Sequence, residues 1–279
     1  MKISISMYSL NTTVKKEGWT VVDFIEYAKG LSLDGVELLD IYWKSKAKDQ
    51  EIIQVIEAIR NNNLQVSAYD VTNNFVKESS KERALEVAKV EEGIRIAKQL
   101  GTSIVRVFCG DLHENVTYDE GQEWIVEGLK KSAILAEQEQ IYLAVENHGL
   151  LVGKSRQVDE IIRKVGSPYV KSTFDAGNSL LVHEKPQDAF DLLKNEIVHV
   201  HFKDFREKKQ SEPTSGFRST LGVEIIGTVP GDGQVDLPYI VEGLKEINYD
   251  GWLSIEYEGI KDDKSSNEKA VQRLRSLLG

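Results

Sequence analysis

The sequence has little cysteine, little proline and no long apolar run. Cys109 is the only cysteine among 279 residues, which excludes an intrachain disulfide and favours a reducing compartment. No proline-rich or glycine/serine-rich linker divides the chain. No apolar stretch approaches the roughly 20 residues of a membrane helix, and the N-terminus lacks the apolar core of a signal peptide. We therefore expect a cytoplasmic protein with no membrane partner and a single domain over residues 1–279.

Positive charge is also scarce. The chain carries 35 Lys and Arg residues against 45 Asp and Glu residues, a formal net charge of -10. Binding to a phosphate backbone depends mainly on Lys and Arg side chains that release counterions. The charge balance therefore argues against nucleic acid and against an anionic membrane surface as partners.

Short apolar, β-branched segments alternate along the chain with longer segments of helical spacing. The strand-like segments are Lys2 to Met7, Gly35 to Leu39, Gln65 to Tyr69, Ser103 to Phe108, Ile141 to Val145, Tyr169 to Phe174, Ile197 to Phe202 and Trp252 to Tyr257. Between them we count eight helices. Thr20 and Asp23 form a variant capping box at the first helix, and Gly101 is the expected end of a long one.

Strict alternation of strands and helices predicts a parallel sheet with right-handed crossovers. Eight such units in this length predict an α/β protein with a single (β/α)8 TIM barrel. The alternative is an open doubly wound sheet, which usually has a glycine-rich phosphate turn after its first strand. Residues 9–12, Ser-Leu-Asn-Thr, do not form such a turn.

One connection is unusually long. About 50 residues separate the seventh and eighth predicted strands, and the segment 206–234 is polar and rich in glycine. A long strand-to-helix loop on a barrel is more often a lid or substrate loop than a plain spacer.

Polar side chains end four consecutive predicted strands. Glu146, Asp175, His201 and Glu256 follow the fifth to eighth apolar segments. Barrel active sites lie at these carboxyl ends, so the four side chains should meet. Three carboxylates brought together repel one another, and a divalent cation removes that cost. Any one of them could merely shape a turn or anchor a loop, but four together predict a site for one divalent metal ion.

Two of these choices rest on position within a strand. His199 and His201 point to the same side of the sheet, and His201 lies nearer the mouth of the barrel. Glu256 and Glu258 also share a side, and Glu256 follows the apolar segment directly. We therefore predict His201 and Glu256 as ligands, with Glu258 supporting them.

Several motifs along the chain resemble the xylose isomerase-like TIM barrels, in the branch of sugar phosphate isomerases and epimerases. The matching segments are Gly35-Val36-Glu37-Leu38, Glu146-Asn147-His148-Gly149, Phe174-Asp175-Ala176-Gly177-Asn178, His199-Val200-His201-Phe202-Lys203-Asp204, Pro230-Gly231-Asp232-Gly233-Gln234-Val235-Asp236 and Gly251-Trp252-Leu253-Ser254-Ile255-Glu256. The resemblance covers essentially the whole chain and implies the same four metal ligands. It also implies a small carbohydrate-type substrate and, as in many relatives, a possible homo-oligomer.

The resemblance implies an isomerase or epimerase that moves a proton next to a carbonyl through a metal-stabilised enediolate. Glu146 and Glu256 would then be the catalytic acid and base as well as ligands. Carboxylates with one imidazole favour Mn, Mg or Co, and Zn is also possible. The 3-epimerase relatives carry His where this chain has Asn178, and Glu where it has Val152, so the substrate does not carry over with the metal site.

Three other functions stay open. A lyase or dehydratase acting on a keto-inositol or a dehydroshikimate-like substrate would share the enolisation step. An endonuclease IV-like nuclease would need a histidine-rich trinuclear zinc site, whereas the chain has only five histidines and is acidic. A non-enzymatic sugar-binding module would have no need of the complete ligand set.

Six residues near the predicted strand ends are candidates for substrate binding, each with a plain structural role as the alternative. They are Glu37, Arg106, His148, Asn178, Lys203 and Asp204.

Overall fold

Eight parallel strands close into a barrel in the part of the chain that the computed structural model describes, residues 1–44 and 48–279. The barrel strands are β1 (Lys2–Ser6), β2 (Gly35–Leu39), β3 (Gln65–Val71), β4 (Ile104–Val107), β5 (Tyr142–Glu146), β6 (Val170–Asp175), β7 (Ile197–Phe202) and β11 (Trp252–Ile255). Their order around the barrel is β1-β11-β7-β6-β5-β4-β3-β2, so β2 and β1 close the ring. The predicted single (β/α)8 TIM barrel is confirmed.

The predicted strands agree with the barrel to within one or two residues at each end. The third strand continues to Val71, and the eighth ends at Ile255. The register places the candidate ligands side by side, because His201 pairs with Asp175 on one side and with Ser254 on the other. In a parallel sheet such partners point to the same face. The side chains of Asp175, His201 and Ser254 therefore share the face that lines the barrel interior.

Ten α-helices, rather than the eight expected, surround the barrel in the described residues. They are α1 (Asn11–Glu17), α2 (Val21–Gly30), α3 (Lys48–Asn61), α4 (Ser80–Leu100), α5 (Tyr118–Glu139), α6 (Ser155–Val165), α7 (Ala176–Leu181), α8 (Pro186–Leu193), α9 (Leu237–Glu246) and α10 (Asp263–Leu278). The two extra helices, α1 and α7, are short segments that precede α2 and α8. Gly18, at φ 71°, ends α1, since a left-handed residue cannot continue a helix.

Two predicted helix boundaries are confirmed. Thr20 and Asp23 form the reciprocal capping box at the start of α2, where the Thr20 hydroxyl accepts from the Asp23 backbone N–H at 3.2 Å. The Asp23 carboxylate accepts in turn from the Thr20 backbone N–H at 2.8 Å. Gly101, at φ 77°, ends α4.

The long connection between β7 and β11 is more ordered than a polar loop. It forms a small antiparallel sheet of β8 (Asp204–Glu207), β10 (Glu224–Thr228) and β9 (Phe217–Arg218), in that order. The sheet is attached to α7, because the Thr220 N–H donates to the carbonyl of Leu181 at 2.9 Å.

The buried carboxylate of Asp204 holds the return segment of this connection. It accepts from the backbone N–H groups of Gly231 and Gly233, each at 2.8 Å, and of Val235 at 3.0 Å. A Cβ atom at Gly233 would collide with this carboxylate, so the close approach requires glycine.

None of the helices in residues 1–44 and 48–279 is both long enough and apolar enough to cross a membrane.

The Asp204 contacts give a stability prediction. Asp204→Ala leaves three backbone N–H groups without their acceptor, so we expect the free energy of unfolding to fall by about 1–3 kcal/mol. Urea unfolding followed by tryptophan fluorescence measures this change. Limited proteolysis should also show faster cleavage within residues 206–234.

The matched control is Asp232→Ala in the same connection. Asp232 forms an exposed ion pair with Arg273 at 2.9 Å, and such surface pairs contribute about 0–1 kcal/mol. Equal unfolding free energies for the two variants would show that Asp204 does not hold the segment.

Candidate metal centre

The four predicted ligands meet at the mouth of the barrel. Glu146 and Asp175 are the last residues of β5 and β6, His201 lies near the end of β7, and Glu256 follows β11 directly. Each offers one ligand atom, and these atoms all lie within 4.8 Å of one another. His201 Nδ1 lies 3.1 Å from Glu146 Oε1, 3.3 Å from Glu256 Oε2 and 3.5 Å from Asp175 Oδ2. The four side chains could therefore hold one metal ion.

The carboxylate oxygens of this cluster fit a cation. In the described structure, Glu146 Oε2, Asp175 Oδ2 and Glu256 Oε2 are buried and receive no hydrogen bond of good geometry. Lys203 Nζ lies 2.9 Å from Asp175 Oδ2 and 2.6 Å from Glu256 Oε2, and Arg106 Nη1 lies 3.6 Å from Glu146 Oε2, so these oxygens have nearby positive charges but no well-formed hydrogen bonds from the described residues. A divalent ion would satisfy these oxygens, and a set of carboxylates with one imidazole suits Mn, Mg, Co or Zn.

The electrostatic field at His201 attracts positive charge. Burial lowers the pKa of His201, but the carboxylates of Glu256, Glu37 and Glu146 outweigh burial and raise it well above its usual value. A metal ion at Nδ1 would occupy the place that this field offers to a proton. The carboxylates therefore favour a positive charge at Nδ1, carried either by a proton or by a metal ion.

The two glutamates of the cluster stay ionised. Burial raises the pKa of Glu146, but Arg106 and His201 outweigh it, and the net shift is downward. For Glu256, Lys203 and His201 overcome burial and lower the pKa to about 2. Ionised carboxylates are the form that both metal binding and proton abstraction require.

Lys203 lies beside the cluster, at the outer side of the ligands. Besides Asp175 and Glu256, its ammonium contacts Glu258 Oε1 at 3.2 Å. Burial lowers the pKa of Lys203, but these three carboxylates raise it well above the usual value. For Glu258, burial combines with the nearby Glu256 and Asp175 charges and, against the effect of Lys203, raises the pKa to about 7. Both side chains can carry a proton next to the candidate centre.

Arg106 and Asn178 hold Glu146 in place. Arg106 is 1% exposed, donates to Asp70 Oδ2 at 2.8 Å and lies 3.6 Å from Glu146 Oε2. The Asn178 side chain donates to Glu146 Oε1 at 3.2 Å. The Arg106 guanidinium lies among buried carboxylates, but its Nε and Nη1 have no hydrogen-bond partner among the described residues, so substrate contact by Arg106 stays a prediction. Asp70, which the sequence reasoning did not propose, ends an apolar segment as the ligands do.

In the structure, the carboxylates of two other substrate candidates are taken up by protein partners. Glu37 is fully buried, and its Oε1 accepts from His199 Nε2 at 3.1 Å and from His201 Nε2 at 3.0 Å. Its carboxylate is therefore directed into the barrel behind His201 and not toward substrate. Asp204 is 1% exposed, and its carboxylate is occupied by the backbone N–H groups of the β7–β11 connection.

Two cavities flank the mouth of the barrel. One, of about 350 Å³, is lined by His148, Asn178 and Arg218 among others, and the second, of about 150 Å³, is lined by Tyr8 and Glu258 among others. Phe217 of β9 lines both cavities. The small sheet thus contributes to the walls of the mouth, as a substrate loop would, and His148 and Asn178 stay candidates for substrate contact.

The comparisons with known proteins agree with the barrel and its motifs. A family model described as xylose isomerase-like TIM barrel matches residues 25–277. The chain is 31% identical over 170 residues to an inosose dehydratase of Lacticaseibacillus casei, a match that covers 59% of this chain and only 57% of that protein. It is 30% identical over 242 residues to an inosose dehydratase of Clostridium beijerinckii (strain ATCC 51743 / NCIMB 8052), covering 82% of this chain and 78% of that protein.

Solved structures with the same fold include both epimerase-like and dehydratase proteins. A D-tagatose 3-epimerase-like protein has a TM-score of 0.78 at 22% identity, covering 100% of this chain and 98% of that one. A probable 3-DHS dehydratase from Bacillus anthracis has a TM-score of 0.76 at 20% identity, with 99% of each chain covered. The IOLI protein with a bound zinc atom has a TM-score of 0.79 at 17% identity, covering 100% and 96%. At these identities the likeness establishes the fold alone.

The distances place Glu256, and not Glu258, among the candidate metal ligands. We expect Glu256→Gln to weaken Mn²⁺ binding by more than about tenfold, because it removes a charged oxygen from the cluster. Glu258→Gln should bind the ion with an affinity close to that of the wild type. Isothermal titration of chelator-treated protein measures both. The reverse order of affinities would show that Glu258 is the ligand.

Proposed function

The chain belongs to the xylose isomerase-like TIM-barrel family, and we propose that it is a divalent-metal-dependent dehydratase of a cyclic polyhydroxy ketone such as a keto-inositol. The observation that carries the proposal is the buried cluster of Glu146, Asp175, Glu256 and His201 Nδ1 at the mouth of the barrel. The named relatives at 30% identity or above then support dehydration over isomerisation, which the sequence motifs alone had favoured.

The reaction consists of an enolisation and the loss of water. The C–H bond next to the carbonyl breaks as its proton passes to a carboxylate, and the C–O bond of the neighbouring hydroxyl breaks. A carbon–carbon double bond forms, and the departing hydroxyl takes up a proton and leaves as water. No oxidant or reductant is needed.

The residues at the mouth suit these steps. A divalent ion, when bound, would polarise the substrate carbonyl and stabilise the negative charge that develops on its oxygen. Glu146 and Glu256 are both ionised, so one of them accepts the proton from carbon, and Asn178 and Arg106 keep Glu146 oriented. Lys203 donates a hydrogen bond to the departing hydroxyl, and Glu258, which lies 3.2 Å from Lys203 Nζ and has its pKa raised to about 7, supplies the proton.

Isomerisation or epimerisation is the second candidate. One of Glu146 and Glu256 would remove the proton and the other would return it, without loss of water. The epimerase-like structural neighbour has the same barrel, and the first chemical step is shared. The nuclease alternative lacks support, because the candidate metal groups among the described residues contain only His199 and His201 as histidines.

Product analysis in deuterated water separates the two candidates. The protein loaded with Mn²⁺ and incubated with a keto-inositol should give a product that has lost one water, seen by NMR and mass spectrometry. Treatment with a chelator should abolish the reaction. An isomerase or epimerase would instead incorporate deuterium into a product of unchanged composition, and that result would contradict the dehydratase proposal.

The acid–base assignment predicts the effect of two amide variants. Glu146→Gln and Glu256→Gln should each reduce turnover by at least about 10²- to 10⁴-fold, because each removes a charged oxygen that accepts the proton or binds the ion. The control is Glu160→Gln, which changes a carboxylate paired with the exposed Arg156 on α6 and should leave turnover unchanged. Full activity and full metal content in both cluster variants would refute the assignment.

A further inference from the structure

The His201 ring lies between two sets of carboxylates. Its Nδ1 faces Glu146 Oε1 and Glu256 Oε2, at 3.1 and 3.3 Å. Its Nε2 lies 3.0 Å from Glu37 Oε1, on the opposite edge of the ring. The ring is fully buried, so water does not compete for either nitrogen.

The partner at Nε2 determines the tautomer. An ionised carboxylate only accepts hydrogen bonds, so the nitrogen that faces Glu37 must carry the hydrogen. When a cation takes the place of the proton at Nδ1, His201 is neutral and its Nδ1 lone pair points at that cation, while Nε2 keeps its hydrogen. We propose that Glu37 is a positioning residue that fixes the Nε2–H tautomer and the orientation of His201, so that Nδ1 binds the cation. This inference rests on the metal site of the proposed function.

Glu37 reaches His201 across the barrel interior. It lies on β2, whereas His201 lies on β7, and β1 and β11 separate these strands around the ring. Sheet register therefore does not bring the two side chains together. The contact requires both side chains to point inward at one height of the barrel.

Glu37 is itself held by a second imidazole. His199 Nε2 lies 3.1 Å from the same oxygen, Oε1, and the two imidazole rings stand nearly perpendicular, at 85°, with centroids 5.5 Å apart. His199 therefore helps to fix the direction of the Glu37 carboxylate. A carboxylate behind a metal-binding histidine typically changes metal affinity by about 10- to 100-fold.

A purely structural role for Glu37 makes a different prediction. If Glu37 only fills the barrel, Gln of nearly the same shape should replace it with little effect on the site. If Glu37 fixes the tautomer, Gln should not replace it, because the amide oxygen accepts hydrogen bonds more weakly than a carboxylate and the amide nitrogen can also donate. It would then allow the other tautomer, in which Nδ1 carries the hydrogen and cannot bind the ion.

The experiment uses the full chain, labelled with ¹⁵N histidine and loaded with diamagnetic Zn²⁺. The chain has only five histidines, so long-range ¹H–¹⁵N spectra can be assigned with single variants. We expect His201 to show a protonated Nε2 and a zinc-bound Nδ1 in the wild type. Glu37→Gln should bind zinc about 10- to 100-fold more weakly in chelator competition and lose the single tautomer.

The control is Asp263→Asn. Asp263 is also a buried carboxylate, but it accepts from the backbone N–H and the hydroxyl of Thr13 at 2.9 and 2.6 Å. The zinc affinity and the His201 spectrum of the Asp263→Asn variant should match those of the wild type.

The outcomes distinguish the two proposals. A wild type that binds no divalent ion would overturn the proposed function and this inference together. A wild type that binds zinc, with Glu37→Gln unchanged in affinity and tautomer, would overturn the role of Glu37 alone. If Glu37→Gln does not fold, the wild-type spectrum decides, since zinc on Nε2 of His201 would contradict the inference.

Discussion

The burial of negative charge on the barrel axis is the constraint on which the rest of the site depends. Within the described residues, five buried acidic side chains belong to this network, namely Glu37, Asp70, Glu146, Asp175 and Glu256. The cationic partners buried with them are Arg106, Lys203 and His201, whose pKa the surrounding carboxylates raise well above its usual value. Buried charges of one sign are costly unless they are paired or bind metal. A divalent cation among the last three carboxylates therefore removes a large part of this cost.

The closed barrel is what brings these charges together. The network takes one side chain each from β2, β3, β4, β5 and β6, two from β7, and Glu256 from the end of β11. Glu146 receives contacts from Arg106 and Asn178, and His201 from Glu37. Lys203 contacts Asp175 and Glu256, so each candidate ligand contacts a side chain from another part of the chain. Such support fixes ligands in the geometry that metal binding and proton transfer require.

The fold and the candidate ligands could be predicted because both follow local rules. Strand periodicity identifies the barrel, and the strand-end position identifies Glu146, Asp175, His201 and Glu256. The roles of Glu37, Arg106 and Asp204 could not be predicted in this way. Parity gives the face of a strand, but it does not give the depth of a side chain or its partner across the barrel. The Asp204 contacts depend on a return segment about 30 residues later, which local patterns do not locate.

The central claim is that one divalent ion lies among these four side chains. Crystals of the protein grown with Mn²⁺ and measured for anomalous scattering test it most directly. We expect one peak at about 2.0–2.3 Å from Nδ1 of His201 and from carboxylate oxygens of Glu146, Asp175 and Glu256. Crystals that bind Mn²⁺ at other positions but show no peak among these four side chains would contradict the claim. A map in which Lys203 bridges Asp175 and Glu256 in place of the ion would contradict it as well.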